Sequence, residues 1–243
     1  MPYRRLPNTD SARLKALYCA QKKGQDLPPF KLAYTQGTFQ RVQNLLPSYE
    51  HALSEYKIAY NNQLEKNKDY QRYARKAKLY ISHFIQVIDM AITRGDLPVS
   101  TKTYFGIPED EKRIPSLNTD EEIIEWGKKL IDGEQQRRME GQAYISNPTV
   151  ALVKVHYDKF YEVFGYQNSL KKRASRAQDE LNDKRAQADQ IIQQLWNEVE
   201  STYKGLPDNL KREKASEYGI IYVFRKNELN DPQLMKALHI NMA

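Results

Sequence analysis

The side chains with the widest chemical range in this chain are four histidines, His51, His83, His156 and His239, and one cysteine, Cys19. A di-metal centre in a helical bundle needs a carboxylate and an imidazole three residues apart, so that both project from one helix face. Glu50 adjoins His51, and the residue three positions after His83 is Gln86. Asp158 and Glu162 lie near His156 at offsets that turn them around the helix. This spacing predicts no metal site and no cofactor. Cys19 sits among Leu17, Tyr18 and Ala20 and reads as a small buried residue. One cysteine rules out an internal disulfide. No glycine-rich phosphate loop and no nucleophile elbow occurs. The expectation is a protein without catalytic residues, not an enzyme.

Charge is the more informative chemistry. Residues 66–78 hold Lys66, Lys68, Arg72, Arg75, Lys76 and Lys78 against Asp69 alone, with Tyr70 and Tyr73 interleaved. Residues 171–176 hold Lys171, Lys172, Arg173 and Arg176 and no acid. Cations in such runs neutralise phosphates, and tyrosines among them can stack on bases. Lys68, Arg72, Arg75, Lys76, Lys171, Lys172, Arg173 and Arg176 are therefore the candidate contacts to nucleic acid or another polyanion. Asp179, Glu180 and Asp183 come directly afterwards, and a charged tip is also what a solvated hairpin needs. The net charge of +7 permits an acidic partner without requiring one. Glu134, Arg137, Arg138 and Glu140 carry the spacing of ordinary helix-surface ion pairs; the alternative is an anion-binding arginine pair.

The elements that must position these residues are helical. Asn8, Thr9, Asp10 and Ser11 offer N-caps for a helix from Asp10 to Lys23, with Leu14, Leu17 and Tyr18 inward and Gly24 at its end. After Pro28-Pro29, a three-four spacing of Phe39, Val42, Leu46, Tyr49, Leu53, Tyr56 and Tyr60 predicts a long helix over 30–66. Pro47 should bend or restart it. Asn67-Lys68-Asp69 is the expected turn. A returning helix over 70–94 would bury Tyr73, Ala77, Ile81, Phe84, Val87, Ile88 and Ala91, capped by Gly95. Thr119 and Glu122 form a capping box that starts a linking helix reaching Glu140. Gly127 and Gly133 in it suit a close approach of another backbone. A second helical hairpin should fill 148–203, its two helices joined by a short polar turn. Asp208–Glu217 reads as a short helix. Tyr218–Phe224 has strand composition but no evident strand partner, so it should lie extended across the helices.

Sliding the first hairpin forward by 111 places Phe39 on Val150, Val42 on Val153, Tyr49 on Phe160, Ile81 on Ile192 and Ile88 on Val199. The punctuation repeats too. Gly95 with Leu97-Pro98 answers Gly205-Leu206-Pro207, and Phe105-Gly106-Ile107 answers Tyr218-Gly219-Ile220. With Asn147-Pro148-Thr149 and the Tyr/Phe-rich helix behind it, these motifs resemble a group of uncharacterised bacterial α-helical-bundle proteins built from two helical-hairpin repeats. The resemblance spans residues 30–229. It implies no activity, cofactor or catalytic residue, because the group has none assigned.

The sequence thus predicts an all-α protein: two antiparallel hairpins, an internal repeat, packed as a four-helix bundle or as two stacked bundles. The expected segments are an N-terminal helix and connection over 1–29, repeat 1 over 30–108, a connection with the linking helix over 109–146, repeat 2 over 147–229, and a loose tail over 230–243. With 17 tyrosines the core should be thin, with amphipathic rings at its edge. No stretch approaches the roughly 18 apolar residues that span a bilayer. The arginines of Met1-Pro2-Tyr3-Arg4-Arg5 are followed by no apolar run, so a cytoplasmic location is expected. The function classes left are a structural or protein-interaction module, with an unidentified protein as partner; a nucleic-acid binder; and a small-ligand binder with a tyrosine-lined pocket between hairpins.

Overall fold

A computed structural model describes residues 3–111 and 113–223. Among the described residues the chain is all-α, with 76 % helix when the 3₁₀ turns are included. Five α-helices run in order: α1, Asp10–Asp26; α2, Gln36–Thr93; α3, Asp120–Met139; α4, Val150–Thr202; and α5, Asp208–Ser216. Short 3₁₀ turns occupy Pro29–Lys31 and Val99–Phe105. The expected tail over 230–243 lies outside the described residues.

The main correction concerns the hairpins. α2 is one helix of 58 residues and α4 one of 53. No turn forms at Asn67-Lys68-Asp69, none forms within 165–181, and Pro47 lies inside α2 without ending it. The physical reason is a seam that never loses phase. Through the middle of α2 the less exposed positions are Ala59, Gln63, Lys66, Asn67, Tyr70, Tyr73, Ala74 and Ala77, still at steps of three and four. On α4 they are Phe164, Gln167, Leu170 and Ala174. Polar and small residues keep this stretch of seam thin, so by hydropathy it looks like a turn. No glycine or proline breaks it in α2, and the nearest glycine of α4, Gly165, faces open space. The side-chain amide of Gln167, almost fully buried, points its nitrogen at the Gln63 carbonyl, 3.4 Å away.

The chain divides into two compact units whose boundaries fall inside both long helices. The first unit comprises Met1–Lys57 with Arg176–Ala243, and the second comprises Ile58–Ser175. In the first, the start of α2 runs antiparallel to the end of α4, and α1 and α5 cover them. Its core is Leu17, Val42, Tyr49, Ile192, Leu195, Trp196 and Tyr218, with smaller residues between. In the second, the end of α2 pairs with the start of α4 and α3 lies alongside. Ile81, Phe84, Ile88, Phe105, Leu130, Val153 and Phe160 fill that core.

Local signals explain most element ends. The Thr9 hydroxyl accepts from the Ala12 N–H and caps α1. Thr119 and Glu122 close the expected capping box on α3. Gly95, Gly106 and Gly141 take positive φ where chain segments turn away. Three expectations differ in detail. α1 runs through Gly24 to Asp26 and buries Ala16, Leu17 and Ala20, leaving Tyr18 exposed. α2 starts at Gln36, so Phe30 is solvent-facing. The strand-like C-terminal segment finds a partner after all: β1, Tyr3–Arg4, pairs antiparallel with β2, Tyr222–Val223. The N-terminal residues had offered no strand pattern to match it.

Gly133 of α3 is where another backbone comes close. A Cβ there would stand 2.3 Å from the Tyr104 carbonyl oxygen. Gly165, inside α4, has nothing within 4 Å of that position. Gly133→Ala should therefore destabilise the protein by about 1–3 kcal/mol through overpacking. Gly165→Ala should stabilise it by about 0.5–1 kcal/mol through helix propensity. Denaturant titration of the two variants checks the opposite signs.

Candidate functional site

All eight sequence-predicted cationic residues are exposed. They stand on continuous helix rather than at hairpin tips, which corrects the expected geometry. Seven of them, from Lys68 to Arg173, belong to the second unit, whereas Arg176 belongs to the first. The second unit brings its two basic runs together. Lys171 of α4 lies 5.8 Å from the ring centroid of Tyr70 on α2. One turn along, Arg72 and Lys159 flank Tyr73 at 5.0 and 5.9 Å. Lys171 and Lys159 of α4, about a hundred residues away in sequence, thus stand over the tyrosine rings of the 66–78 run.

Those rings are packing residues. Tyr70 is half-buried, packs at a tilt against Phe160 with centroids 6.3 Å apart and donates its hydroxyl to Asp120. Burial, then the Asp120 hydrogen bond, pushes its phenol above the ordinary range. The ring is thus fixed at its edge by Phe160 and at its hydroxyl by Asp120, with the Lys171 ammonium above it. Asp69 pairs with Arg72 at 2.9 Å; both are more than half exposed, so water weakens the pair.

The linking-helix residues separate in an unexpected way. Glu134 and Arg137 are almost fully buried and paired at 2.6 Å. Glu134 also accepts from the Ile145 N–H at 3.1 Å, and Arg137 donates to the Ala143 carbonyl at 3.3 Å. The pair pins the 140–145 segment onto α3 and is no surface pair. Arg138 and Glu140 remain outside. Lys102, also buried, is a second clamp: its ammonium reaches Asp89 at 2.8 Å and the Glu111 carbonyl at 2.6 Å.

His156 stacks on Tyr80 with centroids 4.0 Å apart, and burial, then nearby Lys76, lowers its pKa. His51 and His83 are exposed. Among the described residues no three His, Cys, Asp or Glu side chains stand close enough to hold a metal ion; His239 lies outside them. No helix among the described residues is long and apolar enough to cross a membrane. No family model, curated protein or solved structure matches this chain.

The first unit contains a charged cluster that sequence reasoning missed. Arg185 grips Asp10 with two bonds of 2.7 Å, and Arg13 grips Asp189 at 2.7 and 2.9 Å. The Tyr49 hydroxyl donates to Asp10 at 2.8 Å. The forked pairs fasten α1 to α4, and the Tyr49 bond ties it to α2. Asp10 lies 175 positions from Arg185, and only a local role as an N-cap neighbour was legible for it. The Arg185 hydrogen bond holds the Asp10 carboxyl below its ordinary value of 3.8, against burial, which works the other way. A depressed carboxylate stabilises the fold above its unfolded pKa and loses that contribution as pH falls through the folded one. Asp10→Asn should cost about 1–3 kcal/mol at neutral pH. The gap between wild type and variant should narrow below pH 3.8. Melting curves of both proteins from neutral pH into acid measure it.

Proposed function

We propose that this protein is a non-enzymatic helical interaction module, and that the cationic surface of its second unit is where it meets a polyanion. The observation carrying this reading is Lys171 beside Tyr70, which joins the 66–78 and 171–173 basic runs into one exposed field. Binding would be by charge and would be insensitive to sequence, because phosphate contacts position without reading bases. The deeply buried charged groups support the non-enzymatic part. Lys102, Glu134 and Arg137 are each engaged in holding a connecting segment.

The internal repeat belongs to the same proposal, in revised form. Its unit is one short helix, one long helix and an aromatic-Gly-Ile exit, not a hairpin. α1, α2 and Phe105-Gly106-Ile107 would be the first copy; α3, α4, α5 and Tyr218-Gly219-Ile220 the second. In support, Thr9 and Thr119 cap the short helices. Val42 and Val153, Tyr49 and Phe160, Ala77 and Ala188, and Ile81 and Ile192 are all buried at the offset of 111. Gly106 and Gly219 both take positive φ after a buried aromatic. Each compact unit then draws half of its long helices from either copy.

Retention on heparin, and fluorescence-anisotropy titration with a short duplex DNA at several salt concentrations, test the polyanion reading. Wild type should bind, with affinity falling linearly in the logarithm of salt. A Lys68→Gln, Arg72→Gln, Lys171→Gln, Lys172→Gln variant should lose about 3–4 from the magnitude of that slope. Wild type passing through heparin at low salt, or a variant with an unchanged slope, would overturn it.

A further inference from the structure

A second feature of the Ile58–Ser175 unit is independent of the cationic field. A cleft of about 660 Å³ opens between the end of α3, the 140–145 segment and the first turn of α4. Ile131, Val150 and Ala151 contribute apolar lining, and Met139 and Tyr144 stand at it with 81 % and 69 % of their surfaces exposed. Two large exposed side chains thus extend the apolar lining to the mouth of the hollow. The polar lining has one sign: Arg138 and Lys154 are present, and no carboxylate lines the cleft.

The electrostatics narrow the class of ligand. Arg138 lies 4.4 Å from the Tyr144 ring centroid and donates one N–H to its hydroxyl at 2.8 Å. The planar fork carries five N–H donors, so this contact orients the guanidinium and leaves donors for an anion. Lys154 is paired with Asp158 at 2.9 Å, and Asp158 stands outside the cleft lining, so Arg138, Lys154 and Asp158 together sum to a single positive charge. The excess at the mouth is close to one positive charge, which suits a monoanion better than a phosphate dianion. The volume falls in the roughly 300–1,000 Å³ range of small-molecule sites.

The segment on the cleft's rim is anchored from behind. The buried Glu134–Arg137 pair fixes the segment that carries Tyr144 by bonding Ile145 N–H and Ala143 carbonyl on either side of it. Without that pair the rim would be an ordinary loop. With it, the backbone on either side of Tyr144 is held in place, and Tyr144 in turn meets the Arg138 fork.

We infer that this cleft binds a hydrophobic monocarboxylate, its apolar tail against Ile131, Val150 and Ala151 and its carboxylate at Arg138 and Lys154. Isothermal titration calorimetry of the full chain with monomeric decanoate tests it, alongside decanol and decyltrimethylammonium as uncharged and cationic partners of the same tail. Decanoate should bind saturably at one site. Decanol should bind at least about tenfold more weakly, the effect of losing one charge-assisted contact of about 1.4 kcal/mol, and the ammonium not measurably. Ala151→Trp, which fills the cleft, and Ala151→Glu, which places an acid in it, should each abolish binding. Position 151 is exposed, and unchanged melting temperatures would show that both variants fold. Arg138→Gln with Lys154→Gln should weaken decanoate about tenfold or more and leave decanol unchanged. Absence of saturable decanoate binding, equal affinity for decanol, or binding undiminished in both Ala151 variants would overturn the inference. Heparin retention should be the same in the Ala151 variants as in wild type, which separates this site from the polyanion reading.

Discussion

Everything in this protein depends on two apolar seams staying in phase along α2 and α4. A helix that keeps its buried stripe at steps of three and four can continue as long as a neighbour covers that stripe. Here the cover changes character along the way. At either end it is thick, with Tyr49 and Trp196 in one unit and Phe84 and Phe160 in the other. In the middle it thins to Ala59, Gln63, Asn67, Gln167 and Ala174. The helix survives that stretch because its phase is unbroken, not because the contacts there are strong.

That distinction explains what the sequence concealed. The apolar positions of both long helices, the Thr119 capping box and the glycine after α2 were legible, because each is written in residues close together in the chain. The polar seam was not. Asn67-Lys68-Asp69 has the composition of a turn, and only the burial of residues on both sides shows that the helical period passes through it. The β1–β2 pair and the Asp10–Arg185 fork were illegible for another reason. Each joins residues from opposite ends of the chain, and neither partner carries a local mark of the other.

The candidate surface shows the same split. Residue type and spacing alone pick out the exposed cations, including Lys171 and Arg72. What they could not give was adjacency, which Lys171 over Tyr70 supplies, or the role of the tyrosines, which depends on Asp120 and Phe160. Glu134 and Arg137 were misplaced on the surface because a spacing of three suits exposed and buried ion pairs alike. Only the carbonyl and N–H of the 143–145 segment reveal which one this is.

Helical continuity can be measured inside the second unit alone. With Cys19→Ser as background, nitroxide labels on Ile58→Cys and Lys78→Cys, both exposed positions of α2, report their separation by pulsed electron resonance. An unbroken helix places their backbones about 30 Å apart, at 1.5 Å per residue. A distance near 10 Å, the spacing of two packed helices joined by a turn at 67–69, would contradict the fold and the surface built on it.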